Sequence, residues 1–203
     1  MKALTKSTQE QITPTAALQM LIDGNVRFVQ NKMIQRDLKE QIADTSEGQF
    51  PFAAILSCID SRVPAEIVFD QGIGDVFSAR VAGNIVNEDV FGSIEYACKV
   101  AGSKIVVVMG HTKCGAVTAA CNNVELGNIT ALLSKIKPAV KKYSTGVEMD
   151  EETIERVAVQ NVLFSIEAMK SDSPILAEMV ESNKILIVGA IYNVSNGQVK
   201  FID

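Results

Sequence analysis

The chain has 203 residues, 47% of them hydrophobic and 21% charged, with a formal net charge of −5. That is long enough for one sizeable core and ordinary for a globular protein; without a long basic run, nothing draws it to nucleic acid or an anionic membrane. No apolar run approaches the roughly 18 residues of a membrane span, and four cysteines are too few and too scattered for a disulfide scaffold.

The start, "MKALTKSTQEQITPTAAL", has no apolar signal-peptide core. The expected location is therefore the cytoplasm, with a periplasmic protein after leader removal as the alternative. Thr13 and Pro14 read as the N-cap and first residue of a helix. Leu18, Leu21, Ile22, Val26 and Val29 then recur at helical spacing up to about Asn31. The polar stretch "QIADTSEGQF" separates this helix from the first strand. Residues 1–48 read as a helical arm packed on the main body or on a partner subunit, within a single domain spanning 1–203.

From Pro51 strands and helices alternate. "FAAILSC" is a buried strand, "VPAEIVFD" a short helix and "DVFSARVAG" a second strand. "EDVFGSIEYACKVAG" has helical spacing, and "KIVVVMG" is a third strand. "CGAVTAAC" opens a helix, "ITALLSKIKPAVKKY" continues as helix, and a long helical region covers about 151 to 170, with a short one after Pro174. The lysines of "KIKPAVKKY" read as a solvated helix face. "KILIVGAIYNV" is the last buried strand, and Asn196-Gly197 predicts a tight hairpin into "QVKFI". Strands apolar on both faces and joined by helices predict an α/β fold, with a mostly parallel sheet covered on both sides.

In such sheets ligands bind at the carboxyl ends of strands. Two strand ends carry chemically unusual residues: "SCIDSR" and "GHTKCG". A lone histidine is usually just hydrogen-bonded, and a cysteine beside an apolar strand is usually core. Joint placement changes that reading. His111 and Cys114, three apart at a strand-to-helix junction, can converge with Cys58 from the other strand end. Two thiolates and an imidazole form the borderline-soft set that tetrahedral zinc prefers. Three protein ligands leave one position open, the catalytic arrangement. Asp60, two residues from Cys58, is placed to face that position, and Arg62 suits a two-point grip on its carboxylate. Cys98 and Cys121 lie in helical patterns and read as core. "VVMGHTKCGAVT" does not meet the phosphate-loop pattern.

Together, "CIDSR" and "GHTKCG" resemble the paired signatures of the beta-class carbonic anhydrases; "ARVAGN" and "VPAEIVFDQGIGD" are similar to that family too. The resemblance implies a zinc site of Cys58, His111 and Cys114, with Asp60 and Arg62 as catalytic dyad. It implies reversible hydration of CO2 to bicarbonate and a proton, with zinc-bound hydroxide as nucleophile. It implies a four-stranded mostly parallel central sheet with an added C-terminal edge strand, helices on both faces, and a homodimer or dimer of dimers. A metal neutralised by two thiolates should acidify its water less than a tris-imidazole site, so activity is expected to rise into the alkaline range. Some family members close the site with the matching aspartate and use a pocket containing tryptophan; here that position is Ile55 and the chain has no Trp. Arg80 matches an arginine of that pocket, and the open form is expected. A site glutamine of some members aligns with Gly72 rather than Gln71.

Rival readings stay open on the residues alone: hydrolysis of carbonyl sulfide or carbon disulfide on the same scaffold, a Cys114 nucleophile activated by His111, and a closed four-ligand site serving stability or sensing.

Overall fold

The computed structural model describes residues 2–147 and 149–202. Its centre is a sheet of five strands: β1 (Ala53–Ser57), β2 (Val76–Arg80), β3 (Ile105–His111), β4 (Leu186–Tyr192) and β5 (Val199–Ile202). The spatial order is β2-β1-β3-β4-β5. The first four are parallel, and β5 runs antiparallel to β4. This is the expected sheet with its added edge strand. Every residue of β1 and β3 is buried, which is why both read as unbroken apolar runs.

Among the described residues ten α-helices accompany the sheet: α1 (Lys6–Glu10), α2 (Pro14–Val29), α3 (Leu38–Thr45), α4 (Ala65–Val68), α5 (Glu88–Glu95), α6 (Gly115–Cys121), α7 (Gly127–Ser134), α8 (Lys137–Tyr143), α9 (Glu151–Ser171) and α10 (Pro174–Glu181). Ala17 and Leu21 of α2 and Val68 of α4 pack with Ala53, Ile55, Val107 and Met109 on one face. Val90 and Ile94 of α5, Val162 and Met169 of α9 and Leu176 of α10 cover Ala54, Leu56, Val106 and Val108 on the other. A third cluster lies beyond the strand ends, where Val117, Leu133, Ile136, Val140 and Val157 enclose Cys58 and Cys114. Helices from four segments thus build an apolar wall around two sulfurs.

Helix α2 docks on the sheet. Thr13 caps α2 by accepting a bond from the Ala16 N–H, with Pro14 at the first position. Gly24 lies so close to the Phe69 carbonyl that a Cβ would come within 1.9 Å of its oxygen. Asn25 Nδ2 donates to the Val68 and Gly197 carbonyls at 3.0 and 2.9 Å. Arg27 in the last turn of α2 and Arg36 beyond it both bond the fully buried Asp70 carboxylate at 2.5 Å.

Two expectations change. The polar stretch before β1 contains α3, capped by Asp37, whose carboxylate accepts from the Lys39 and Glu40 N–H groups. Its one buried residue is Gln41, which accepts from the Ile73 N–H at 3.1 Å; a helix docked through a glutamine leaves no apolar period to read. The stretch expected as one helix over 129–143 is two, α7 and α8. Pro138 sits in the first turn of α8, where its missing N–H costs no helical bond. After α5 the chain also makes a π-helical turn, Tyr96–Val100.

Candidate metal centre

Cys58 follows β1 directly, and His111 ends β3, the neighbouring strand. The chain then turns sharply: Lys113 adopts a left-handed conformation with φ 55°, and Cys114 caps α6. That turn brings Cys114 back toward His111. The donor atoms of Cys58, His111 and Cys114 all lie within 4.8 Å of one another, and all three residues are buried. With metal–sulfur bonds near 2.3 Å and metal–nitrogen bonds near 2.0 Å, this spread suits one tetrahedral ion.

The protonation chemistry of the donors fits a divalent cation. His111 Nδ1 lies 2.9 Å from the Thr112 carbonyl oxygen. A carbonyl only accepts, so Nδ1 carries the proton and Nε2 presents its lone pair. Nε2 is buried with no hydrogen-bond partner, an orphan that a metal satisfies. The two sulfurs are close enough to shift each other's ionisation in opposite directions. The bond from Cys114, outweighing burial and helped by His111 and the Gly83 N–H, lowers the Cys58 thiol to about 4. The same bond, together with burial, raises Cys114 well above the usual thiol range. Two adjacent buried thiolates need a cation between them to ionise together.

Asp60 and Arg62 stand at the mouth. Arg62 Nε donates to Asp60 Oδ1 at 2.9 Å and Nη2 to Oδ2 at 2.8 Å. The Arg62 N–H adds a third bond to Oδ1 at 2.9 Å. The Arg62 side-chain bonds, outweighing partial burial, hold the Asp60 carboxyl well below the usual carboxylate range. Oδ2 lies 4.0 Å from His111 Nε2, so the carboxylate faces the donor cluster while both its oxygens are gripped by Arg62.

Every residue singled out for the site from the sequence therefore converges here. Three further positions compared with the family make contacts elsewhere. Ile55 is fully buried in the sheet core. Arg80 spends its guanidinium on backbone, donating to the Cys58 carbonyl at 3.0 Å and the Asp60 carbonyl at 2.6 Å; it clamps the loop that carries both. Gln71 donates to the Phe69 carbonyl at 2.6 Å within its own turn. Cys98 is buried in the core, and burial pushes its thiol up to about 12.

Several supporting residues had no visible signal in the motifs. The Gly83 N–H donates to Cys58 Sγ at 3.4 Å. Glu155 on α9 accepts from the Lys113 N–H at 2.7 Å, and the Lys113 carbonyl accepts from Arg62 Nη2 at 3.3 Å. Asn161 on α9 donates to the Gly83 carbonyl at 2.7 Å. Asn161 and Ser165 are polar residues on the buried face that carries Val157, Ala158, Val162 and Ile166, which is the one clue to them that the sequence contains.

A buried S/S/N donor set at the ends of two parallel strands, with an arginine-held carboxylate beside it, defines a site that could hold a metal ion in an α/β protein. A family model described as carbonic anhydrase matches residues 53–199. A carbonic anhydrase of Mycolicibacterium smegmatis is 33% identical over 193 residues, covering 92% of each chain. Carbonic anhydrase 2 of Mycobacterium tuberculosis is 33% identical over 190 residues, covering 91% of each. Among solved structures, the b-carbonic anhydrase CafA of Aspergillus fumigatus superposes with a TM-score of 0.76 at 26% identity, over 93% of this chain and 90% of that one. A tetrameric beta-carbonic anhydrase of Sordaria macrospora gives 0.72 at 25% identity, over 77% of this chain and 83% of that one. The chain belongs to the carbonic anhydrase family, in its beta class, and is an enzyme of that lyase type. Among the described residues no helix is long and apolar enough to cross a membrane.

Proposed function

We propose that this enzyme catalyses the reversible hydration of CO2 to bicarbonate and a proton, with zinc held by Cys58 Sγ, His111 Nε2 and Cys114 Sγ. The observation that carries this reading is the convergence of three buried soft donors within 4.8 Å around an unpartnered imidazole nitrogen. A zinc ion held there would supply Lewis acidity for ionising water, tempered by the two thiolates, so that activity would rise into the alkaline range.

The chain's own residues do the rest. Thr112 fixes the tautomer of His111 by accepting its Nδ1 proton. Asp60, kept ionised by Arg62, accepts hydrogen bonds and cannot donate them. It therefore selects a protonated oxygen at the open position and turns that oxygen's lone pair toward the carbon of CO2; in reverse it accepts the bicarbonate hydroxyl. The two-point grip of Arg62 supports the open arrangement over permanent ligation by Asp60, because both carboxylate oxygens are already engaged. His111 is the only histidine in the chain, so no second imidazole shuttles the proton outward. Water chains, carboxylates or buffer carry it.

The working unit we propose is the whole of residues 1–203 as one domain, with residues 1–48 as its helical arm, assembled as a homodimer or dimer of dimers in a reducing cytoplasm that suits thiolate donors. Exposed Ile59 within the first motif and Ile67 and Ile73 after it supply apolar surface for such contacts. Light scattering on the purified protein reads the assembly. Metal analysis followed by a stopped-flow CO2-hydration assay across pH, with and without bicarbonate, tests the activity. Zinc at one per chain with no hydration at any pH would overturn the catalytic reading.

A further inference from the structure

We infer that Asn161, on the buried face of α9, is a positioning residue that sets the donor strength of the Cys58 sulfur through the Gly83 peptide groups. The inference rests on the metal reading above.

The link has two bonds, both buried. Asn161 Nδ2 donates to the Gly83 carbonyl at 2.7 Å, and the Gly83 N–H donates to Cys58 Sγ at 3.4 Å. Asn161 is 3% exposed and Cys58 is 4% exposed. Gly83 sits in a turn over Ala82–Asn84 at φ 69° and ψ 17°. A Cβ at this position would lie 2.6 Å from Ile136 Cδ1, so the residue has to be glycine. Glycine is also the residue with the most backbone freedom. Nothing in its own side chain keeps the N–H aimed at sulfur, and the restraint has to come from outside. Asn161 supplies it by fixing the carbonyl on the other side of the same Cα.

Aim matters because an N–H donor draws charge from a thiolate, most strongly in a buried, low-dielectric setting. The Gly83 donor is thus oriented by a residue 78 positions further along the chain. Ser165, one turn along α9, donates to the Asn84 carbonyl at 3.3 Å. Its hydroxyl also reaches the Asn161 backbone carbonyl at 3.0 Å, but it touches neither Gly83 nor the Asn161 side-chain amide, so it serves as the control for loosening the turn alone.

Cobalt(II) and zinc are the probes. In the full-length cobalt(II)-substituted protein, thiolate-to-cobalt charge transfer reports sulfur donor strength. Competition with a chromophoric chelator gives the zinc dissociation constant. In Asn161→Leu the charge-transfer band is expected at longer wavelength than in the wild type. Zinc binding should weaken by about tenfold or more, because the loss of a fixed sulfur position outweighs the stronger donation of the freed thiolate. Ser165→Ala should leave the band and the constant at wild-type values. A wild-type band and constant in Asn161→Leu overturn the inference, and so does an equal shift in both variants, which would mean that loosening the turn is enough. A wild type without any charge-transfer band overturns the metal reading and the inference together. If Asn161→Leu does not fold, Asn161→Ala carries the same comparison with the same outcomes.

Discussion

Arg62 holds both oxygens of Asp60, with Nε on Oδ1 at 2.9 Å and Nη2 on Oδ2 at 2.8 Å. The guanidinium side chain is half exposed while the carboxylate is largely covered. An ion pair in that setting adds little to stability; its contribution is direction, turning a carboxylate toward the donor cluster and keeping it charged. Asp60→Asn places an amide that donates as well as accepts where only an acceptor works. We expect kcat/KM for CO2 hydration to fall by roughly 10²-fold or more, with zinc content and melting temperature unchanged. Wild-type turnover in Asp60→Asn would remove the role.

The donor cluster predicts how metal is lost. Cys58→Ser and His111→Ala each remove one of the three proposed ligands, and both should purify with little zinc. Because binding energy at such a site is also folding energy, chelation should lower the melting temperature of the wild type and leave that of the variants nearly unchanged. Full zinc occupancy in His111→Ala, measured by elemental analysis, would show that the ion sits elsewhere.

Proton export gives a kinetic prediction. With the sole histidine in the donor cluster, kcat at saturating CO2 should rise with the concentration of an imidazole-type buffer, while kcat/KM stays flat. A kcat that ignores buffer from low to high concentration would point to an efficient internal relay.

The arm has its own electrostatic lock. Burial by itself would raise the Asp70 carboxyl, but bonds from Arg27, Arg36 and the Ile34 N–H outweigh it and leave the group below the usual carboxylate range. A carboxyl depressed on folding stabilises the protein fully above its unfolded value, about 3.9. That contribution disappears as pH falls through the folded value. Urea unfolding of metal-free protein should therefore show stability falling below about pH 4. Asp70→Asn should cost roughly 3–5 kcal/mol at pH 7, because it leaves buried Arg36 without its counter-charge, and should flatten the acid limb. An unchanged urea midpoint at pH 7 would show that the lock contributes nothing.

Much of this was legible in the chain. β1 and β3 announce themselves because strands buried on both faces have to be apolar throughout, and the five donor and dyad residues stand out because each motif puts reactive side chains where a buried strand ends. Other elements were hidden for physical reasons. Helix α3 docks through Gln41 rather than an apolar stripe, so it read as a polar connection. The break between α7 and α8 was masked by apolar spacing that continues across it. Arg80 resembled a pocket residue by position, and only its bonds to the Cys58 and Asp60 carbonyls reveal a clamp.

The sequence by itself determined the chemistry: two thiols, one imidazole, one carboxylate and one guanidinium, in an order and spacing that a parallel sheet brings to one end. The tertiary structure decided which polar groups tune that chemistry, because Glu155 and Asn161 reach the site from α9 through backbone groups at Lys113 and Gly83. Residues that act through another residue's peptide bond leave no pattern along the chain, since their partners are chosen by how helices pack and not by neighbouring side chains.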